Sequence, residues 1–407
     1  MEGDWLLAVH SGAGRYGASN EAAYLSLLRC ALESTHRVIS SASCPPTAAE
    51  MAAHLLQSFE LSRLTNAGLG ANLTEQGRVE CEASVACGET HSVSCCGAVR
   101  GVRRPSALAL RLLQQATRVE EGDANATFAF GRQPPLVVVG DHARQLARDF
   151  GLETATDAEL DEFQVTDRAQ QHWDKWRRRF RGAETEAEGD EERLDTVGAI
   201  CMDPRGNVAA ALSSGGVALK VPGRLGLAGC PRMGCDAANA VDGRGDGNGS
   251  RKRKRSSRGQ NKAKNAFAVA CTGRGEQFVR SNLVGALARR LARSSDVERA
   301  LRKAVVESTA ANGGRGIEGG VLALVAPPPC TTQMRADGDN VRSVELGVAF
   351  TTPCMGVGFL HCRADAEPQV QVELLRRPET SQAQGSDQQQ LAIHVSLFRL
   401  PVLSQGI

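Results

Sequence analysis

Aromatic residues are scarce, at 4% of 407 positions, so stacked rings cannot supply the interior. No run of about 18 apolar residues occurs, which excludes a membrane-spanning helix. The thirteen cysteines include no CxxC pair, and only Cys230 and Cys235 come near the close ligand spacing of a structural zinc site. They are read as reduced, small, buried hydrophobes, and no metal is expected. Met1-Glu2-Gly3-Asp4 opens with acid where a secretory signal needs positive charge. This predicts an intracellular chain, in which the N-x-S/T triplets at Asn72, Asn125 and Asn248 carry no glycan. Net charge is nearly absent, with 48 Lys and Arg against 46 Asp and Glu. What remains is 42% apolar residues and 43 glycines, the composition of a soluble globular protein with tightly packed small-residue layers. At about 150 residues per domain the length suggests two or three domains, with ample chain for a large core.

Trp5-Leu6-Leu7-Ala8-Val9-His10 reads as a buried strand running into Gly12-Ala13-Gly14. Helical patterns follow at about 19–42 and 47–62, the second opening at Pro46-Thr47 with a stripe of Ala52, Leu55, Leu56 and Phe59. After Thr65-Asn66-Ala67-Gly68-Leu69-Gly70 comes an alternating stretch through Val79, Cys81, Ala83 and Val85, then a helix at about 106–115 and a strand at 136–139. Composition changes at Trp176-Arg177-Arg178-Arg179-Phe180-Arg181, which is basic, and again at 184–192, which is strongly acidic. These segments predict a mobile charged linker at about 172–193. Asp203-Pro204-Arg205-Gly206-Asn207 is a turn signal between two apolar runs, so residues 197–213 read as a β-hairpin. A second insert, Gly-rich and then basic through Arg251-Lys252-Arg253-Lys254-Arg255, spans about 242–264 and is expected to be disordered. Strands are expected again at 266–271, 320–326 and 344–351, and no internal repeat occurs.

Gly12-Ala13-Gly14-Arg15-Tyr16-Gly17 fits G-x-G-x-x-G after a strand, as a dinucleotide site requires. No second strand ending in Asp or Glu follows about 20 residues later, so the turn is assigned to backbone packing. The basic tracts lie in low-complexity sequence without aromatic stacking platforms. Nucleic-acid binding is therefore not expected, and the tracts are read as a nuclear-localisation signal or a solvated charge run.

The junction Asp195-Thr196-Val197-Gly198 carries the most chemistry. A threonine hydroxyl is a weak nucleophile and needs a nearby base. Cleavage before Thr196 would create one in the same residue, because an α-amine titrates near about 7.7–8.0.

Thr196-Val197-Gly198-Ala199, Asp203-x-x-Gly206-Asn207, Ser213-Ser214-Gly215-Gly216, Lys220, Gly223-Arg224-Leu225-Gly226 and Thr272-Gly273-Arg274-Gly275-Glu276 occur in this order. Together with His10-Ser11-Gly12-Ala13-Gly14 and Thr65-Asn66-Ala67-Gly68-Leu69-Gly70, the series resembles the Thr-nucleophile asparaginase family of N-terminal-nucleophile (Ntn) hydrolases. The likeness spans about 5–110 and 194–280, with weaker agreement around Glu318-Gly319-Gly320-Val321.

Within the family the chain looks most like the threonine aspartases (taspases). Asp195 precedes the nucleophile where asparaginase-type members commonly have Gly. Leu227 follows Gly-Arg-x-Gly where they carry an Asp that holds a substrate ammonium. The charged segment before Thr196 also looks like a nuclear-import linker.

The resemblance implies an α+β fold, a four-layer αββα sandwich, in one folded domain made of two fragments. An α fragment, 1–195, and a β fragment, 196–407, would arise by self-cleavage at Asp195-Thr196. It further implies Thr196 as nucleophile, Ser214 beside it, the Thr272 hydroxyl and Gly273 N–H as oxyanion donors, and Arg224 gripping the substrate carboxylate. No cofactor or metal is implied. The implied activity is an autoprocessing threonine endopeptidase, cutting after aspartate in nuclear regulatory proteins. Its partners would be those substrates, the paired fragments and a possible higher oligomer, without membrane, in nucleus and cytoplasm. Two alternatives stay open: an isoaspartyl peptidase or asparaginase acting on small amino-acid derivatives, and a non-processing binding module.

Overall fold

The computed structural model describes residues 3–128, 130–182, 196–242, 263–328, 333–334, 340–363, 366–378 and 392–403. Eight strands form the larger sheet, in the order β13 (Gln369–Arg376), β12 (Cys354–Cys362), β1 (Trp5–Gly14), β5 (Val197–Met202), β6 (Val208–Ser214), β2 (Cys81–Cys87), β3 (Val93–Val99) and β4 (Val137–Val139). The smaller sheet contains β10 (Gln333–Met334), β11 (Asn340–Phe350), β9 (Gly319–Ala326), β8 (Ala266–Gly273) and β7 (Cys235–Ala238), with β14 (His394–Leu403) paired along β11. Helices α1 (Glu21–Ser41), α2 (Ala48–Glu60), α3 (Pro105–Glu120) and α4 (Gly140–Asp149) cover the outer face of the larger sheet. Helices α7 (Leu283–Leu291) and α8 (Val297–Ala311) cover the smaller one, with α6 (Gly275–Ser281) against α8. This is the αββα sandwich expected from the sequence.

The layers follow from strand periodicity. Side chains alternate across a strand, so a strand between two packed layers is apolar on both faces. In β1, Leu6 and Ala8 join the core between the sheets, while Leu7 and Val9 join the core under α1, α2 and α3. In β6, Val208, Ala210 and Leu212 face the other sheet, and Ala209 and Ala211 face the helices. β1 pairs antiparallel with both β12 and β5, so the G-x-G-x-x-G turn stands in no parallel βαβ unit. The start of α2 is fixed by a capping box, in which Thr47 and Glu50 satisfy each other's backbone amides. α6, α7 and α8 were not read from the sequence, although Leu283, Leu287 and Leu291 mark a buried stripe.

Residues on both sides of 183–195 build the larger sheet, with β1 lying between β12 and β5. The two stretches therefore share one interior. The expected linker differs from what is found over 172–180, which complete helix α5 (Asp167–Phe180). Thr166 caps that helix, the Trp173 indole donates to the Thr74 carbonyl at 2.7 Å, and Arg177 stacks on the Trp173 ring. Arginines in its last turn also complement the helix dipole. Residues 183–195, including Asp195, lie outside the described residues, as does most of the basic insert. Paired backbone bonds between Val241 and Lys264, at 2.9 Å each, close the base of that insert. They stand at the Ala266 end of β8, away from the strand end that carries Thr272.

Glu60 ends α2 fully buried and accepts hydrogen bonds from Ser213 Oγ at 2.7 Å, Ser106 N at 2.8 Å and Ser106 Oγ at 2.7 Å. Burial pushes its pKa from 4.5 up to about 7 against those bonds. The unfolded chain releases this proton at lower pH than the folded one, so stability falls as pH rises from about 4.5 to about 7. The full effect is on the order of 3 kcal/mol. Glu60→Gln is expected to flatten the dependence of Tm on pH across that window, as measured by thermal melts. An unchanged slope would contradict the assignment.

Candidate functional site

Strands β5 and β6 form the hairpin that places the central pair. Asp203 organises its turn, accepting from Arg205 N and Asn207 N at 2.9 Å each, while Gly206 adopts φ 84°. The register sets Val197 opposite Ser213, which brings Thr196 level with Ser214 at the open end. The Thr196 hydroxyl donates to Ser214 Oγ at 3.2 Å, and Ser214 Oγ also accepts from Gly216 N at 3.0 Å. Both side chains are buried, Thr196 at 5% exposure.

A second loop fixes the bend after Ser214. Asn66 Nδ2 donates to the Gly216 carbonyl at 2.7 Å, its Oδ1 accepts from Asn72 N at 2.8 Å, and its carbonyl accepts from Gly215 N at 2.7 Å. Lys220, also buried, donates to the carbonyls of Asn72 and Gly215 at 2.9 and 2.5 Å. Burial lowers its pKa to about 8 despite the nearby Cys81, Glu82 and Glu80. A Cβ on Gly215 would lie 2.4 Å from Asn66 Oδ1 and 2.7 Å from Ala71 Cα, so only glycine fits there.

The smaller sheet contributes the end of β8. Thr272 is fully buried, and Gly273 follows it at φ 139°, where a Cβ would lie 2.2 Å from the Glu318 carbonyl oxygen. Gly273 lines a cavity together with Thr196, Ser214, Arg224, Leu227 and Glu82. Its open volume, about 10 Å³, is that of a single water. The Arg224 guanidinium is held in bidentate fashion by Glu276, through Nε–Oε1 at 2.9 Å and Nη2–Oε2 at 2.8 Å. Arg224 is mostly buried, at 15% exposure, whereas Glu276 is largely exposed, so the guanidinium is fixed at the cavity wall by a partner that faces solvent.

His10 lies opposite Gly198, two residues from Thr196. Its ring is fully buried, and burial lowers its pKa to about 3, opposed by a hydrogen bond with the Thr196 backbone. The ring is therefore neutral at physiological pH and fills space beside the strand that carries Thr196.

Four of the sequence-predicted residues, Thr196, Ser214, Arg224 and Gly273, line one cavity, and Thr272 sits buried immediately before Gly273. Asp195 lies outside the described residues. Sequence reasoning missed Glu82, Glu276 and the roles of Asn66 and Lys220. The available signal for Glu82 was a carboxylate inside the otherwise small, apolar run Cys81–Cys87.

Residues 3–250 match the asparaginase family (Asparaginase_2). The chain belongs to this family. Its members are Ntn hydrolases, which agrees with the αββα sandwich. A plant-type L-asparaginase of Pyrobaculum calidifontis is 32% identical over 241 residues, covering 58% of this chain and 71% of the relative. An isoaspartyl peptidase of Salmonella typhimurium is 28% identical over 286 residues, covering 68% and 75%. An isoaspartyl peptidase/L-asparaginase of Xenopus laevis is 28% identical over 236 residues, covering 58% and 67%. These names correspond to the activity that the sequence reading set second.

Gly215→Ala is expected to displace the Asn66 loop and Ser214. Misplacing a reacting group by about 1 Å costs roughly 100-fold in rate, against only about 1–3 kcal/mol of stability for the overpacking. Steady-state kinetics paired with a melt would check this, and wild-type turnover would contradict it.

Proposed function

We propose that the chain is an autoprocessing threonine-nucleophile amidohydrolase acting on small amino-acid derivatives, cutting the side-chain amide of asparagine or the isoaspartyl bond of short peptides. The observation that carries this is the buried Thr196 hydroxyl, bonded to Ser214 in a cavity whose wall holds Arg224. A nucleophile with one guanidinium beside it suits a substrate gripped by its carboxylate. The names of the relatives support the same substrate class.

The chemistry runs in two stages. In the intact chain, Thr196 Oγ1 attacks the Asp195 carbonyl, the Asp195–Thr196 C–N bond breaks, and water hydrolyses the resulting ester. The new Thr196 α-amine, titrating near about 7.7–8.0, then takes the hydroxyl proton as Oγ1 attacks the substrate's side-chain carbonyl. Negative charge develops on that carbonyl oxygen, and the Thr272 hydroxyl and Gly273 N–H are assigned to receive it. An oxyanion donor of this kind is worth about 3–4 kcal/mol. The amine returns its proton to the leaving nitrogen, and water releases aspartate from Thr196. Arg224 pairs with the substrate α-carboxylate, displacing Glu276. The two fragments stay together because β1 of one is hydrogen-bonded between β12 and β5 of the other.

A second reading rests on Leu227, whose apolar side chain occupies the wall of the cavity. An aspartate inside a polypeptide has no α-ammonium to pair, so an endopeptidase cutting after Asp tolerates leucine there. Nuclear and cytoplasmic location goes with this second reading.

Purified protein is expected to hydrolyse L-asparagine and a β-aspartyl dipeptide, as followed by ammonia or amino-acid release. Thr196→Ala should reduce both by about a thousandfold or more. Cleavage of an aspartate-containing peptide alone would favour the second reading, and equal activity of wild type and Thr196→Ala would exclude both.

A further inference from the structure

Glu82 is a buried carboxylate that the chemistry above does not use. On β2 it pairs directly opposite Ser214, the residue that receives the Thr196 hydroxyl. It lines the same cavity as Thr196 and Arg224. Its Oε2 accepts from Gly226 N at 2.5 Å. A Cβ on Gly226 would be 2.6 Å from both Glu82 Oε1 and Arg224 Nη1, so carboxylate and guanidinium face each other across that glycine. They do not pair with each other: Arg224 spends its bidentate edge on Glu276. The cavity wall therefore presents one cation and one separate anion beside the nucleophile, under the turn that carries Leu227.

We propose that Glu82 is a specificity-determining residue that receives the α-ammonium of a zwitterionic substrate while Arg224 receives its α-carboxylate. This rests on the small-substrate reading above. The complementarity is one of sign and position. A free α-amino acid carries its two charges on substituents of one carbon, and the two side chains here both reach the same point beside Gly226. Leu227 cannot supply the anion, whereas a carboxylate reaching in from β2 beneath the same turn can. Removal from water strengthens such a pair and penalises any substrate that leaves the carboxylate uncompensated. Peptide-bonded or acylated aspartate would be disfavoured for that reason.

The test compares kcat/KM for a β-aspartyl dipeptide with a free α-amine against its Nα-acetylated counterpart, in wild type, Glu82→Gln and Glu82→Asp. Wild type is expected to prefer the free amine by about 10- to 100-fold. Glu82→Gln, which keeps size and an acceptor for Gly226 N, should bring that ratio to within about threefold. Glu82→Asp, which keeps the charge, should retain most of it. A melt and fragment analysis establish that each variant folds and matures. If Glu82→Gln does not mature, loss of preference in the Asp variant, or its absence in wild type, overturns the assignment. A Gln variant that lowers both substrates equally marks Glu82 as only a brace for the Gly226 turn and also overturns it. Turnover of neither substrate by wild type overturns the small-substrate reading, and this assignment with it.

Discussion

Antiparallel pairing of β5 with β6 is the constraint on which the site depends. Asp203 and Gly206 turn the chain, the register puts Thr196 level with Ser214, and burial on both faces prevents the pair from slipping. A one-residue slip would exchange the faces of every side chain in the hairpin, turning Ile200 and Leu212 away from the second sheet. The nucleophile's position is thus set by packing far larger than itself. Its neighbours on either side, β1 and β2, bring His10 and Glu82 to the same end of the sheet.

Buried polar groups cluster around that end, and each is handled differently. Lys220 remains anchored by two carbonyls while burial lowers its pKa to about 8. His10 stays neutral. Glu82 has its pKa raised by burial, against the Gly226 amide, Arg224 and Lys220. Such an arrangement costs stability, and perturbed titration concentrates where chemistry is done. Glu60 lies on the helical side of the same strand, through Ser213, so the sheet carries polar contacts on both faces at residues 213 and 214.

Much of this was legible in the sequence, for physical reasons that differ by residue. Thr196, Ser214, Arg224 and Gly273 stand in short motifs whose turn residues fix their geometry locally. The four-layer fold was implied by the order of those motifs, and the buried strands by apolar runs such as Trp5–Val9. Glu82 was not legible as a site residue, because only the pairing of β2 with β6, more than 120 residues apart in the chain, brings it to Ser214. Glu276 was quoted within a motif, yet its grip on Arg224 depends on how α6 meets the loop before Leu227. The basic tract at 176–181 was taken for linker because charge density hides tertiary docking. Trp173, half-buried against Thr74 and Gly77, holds that helix in place.

Thr196 as nucleophile is the central claim, and the intact mass of purified protein tests it most directly. Wild type should resolve into two fragments that divide between residues 195 and 196, the second beginning with Thr196, while Thr196→Ala should remain a single chain of 407 residues. A wild type that stays uncut under conditions where it is folded, or a Thr196→Ala chain that still divides there, would contradict it.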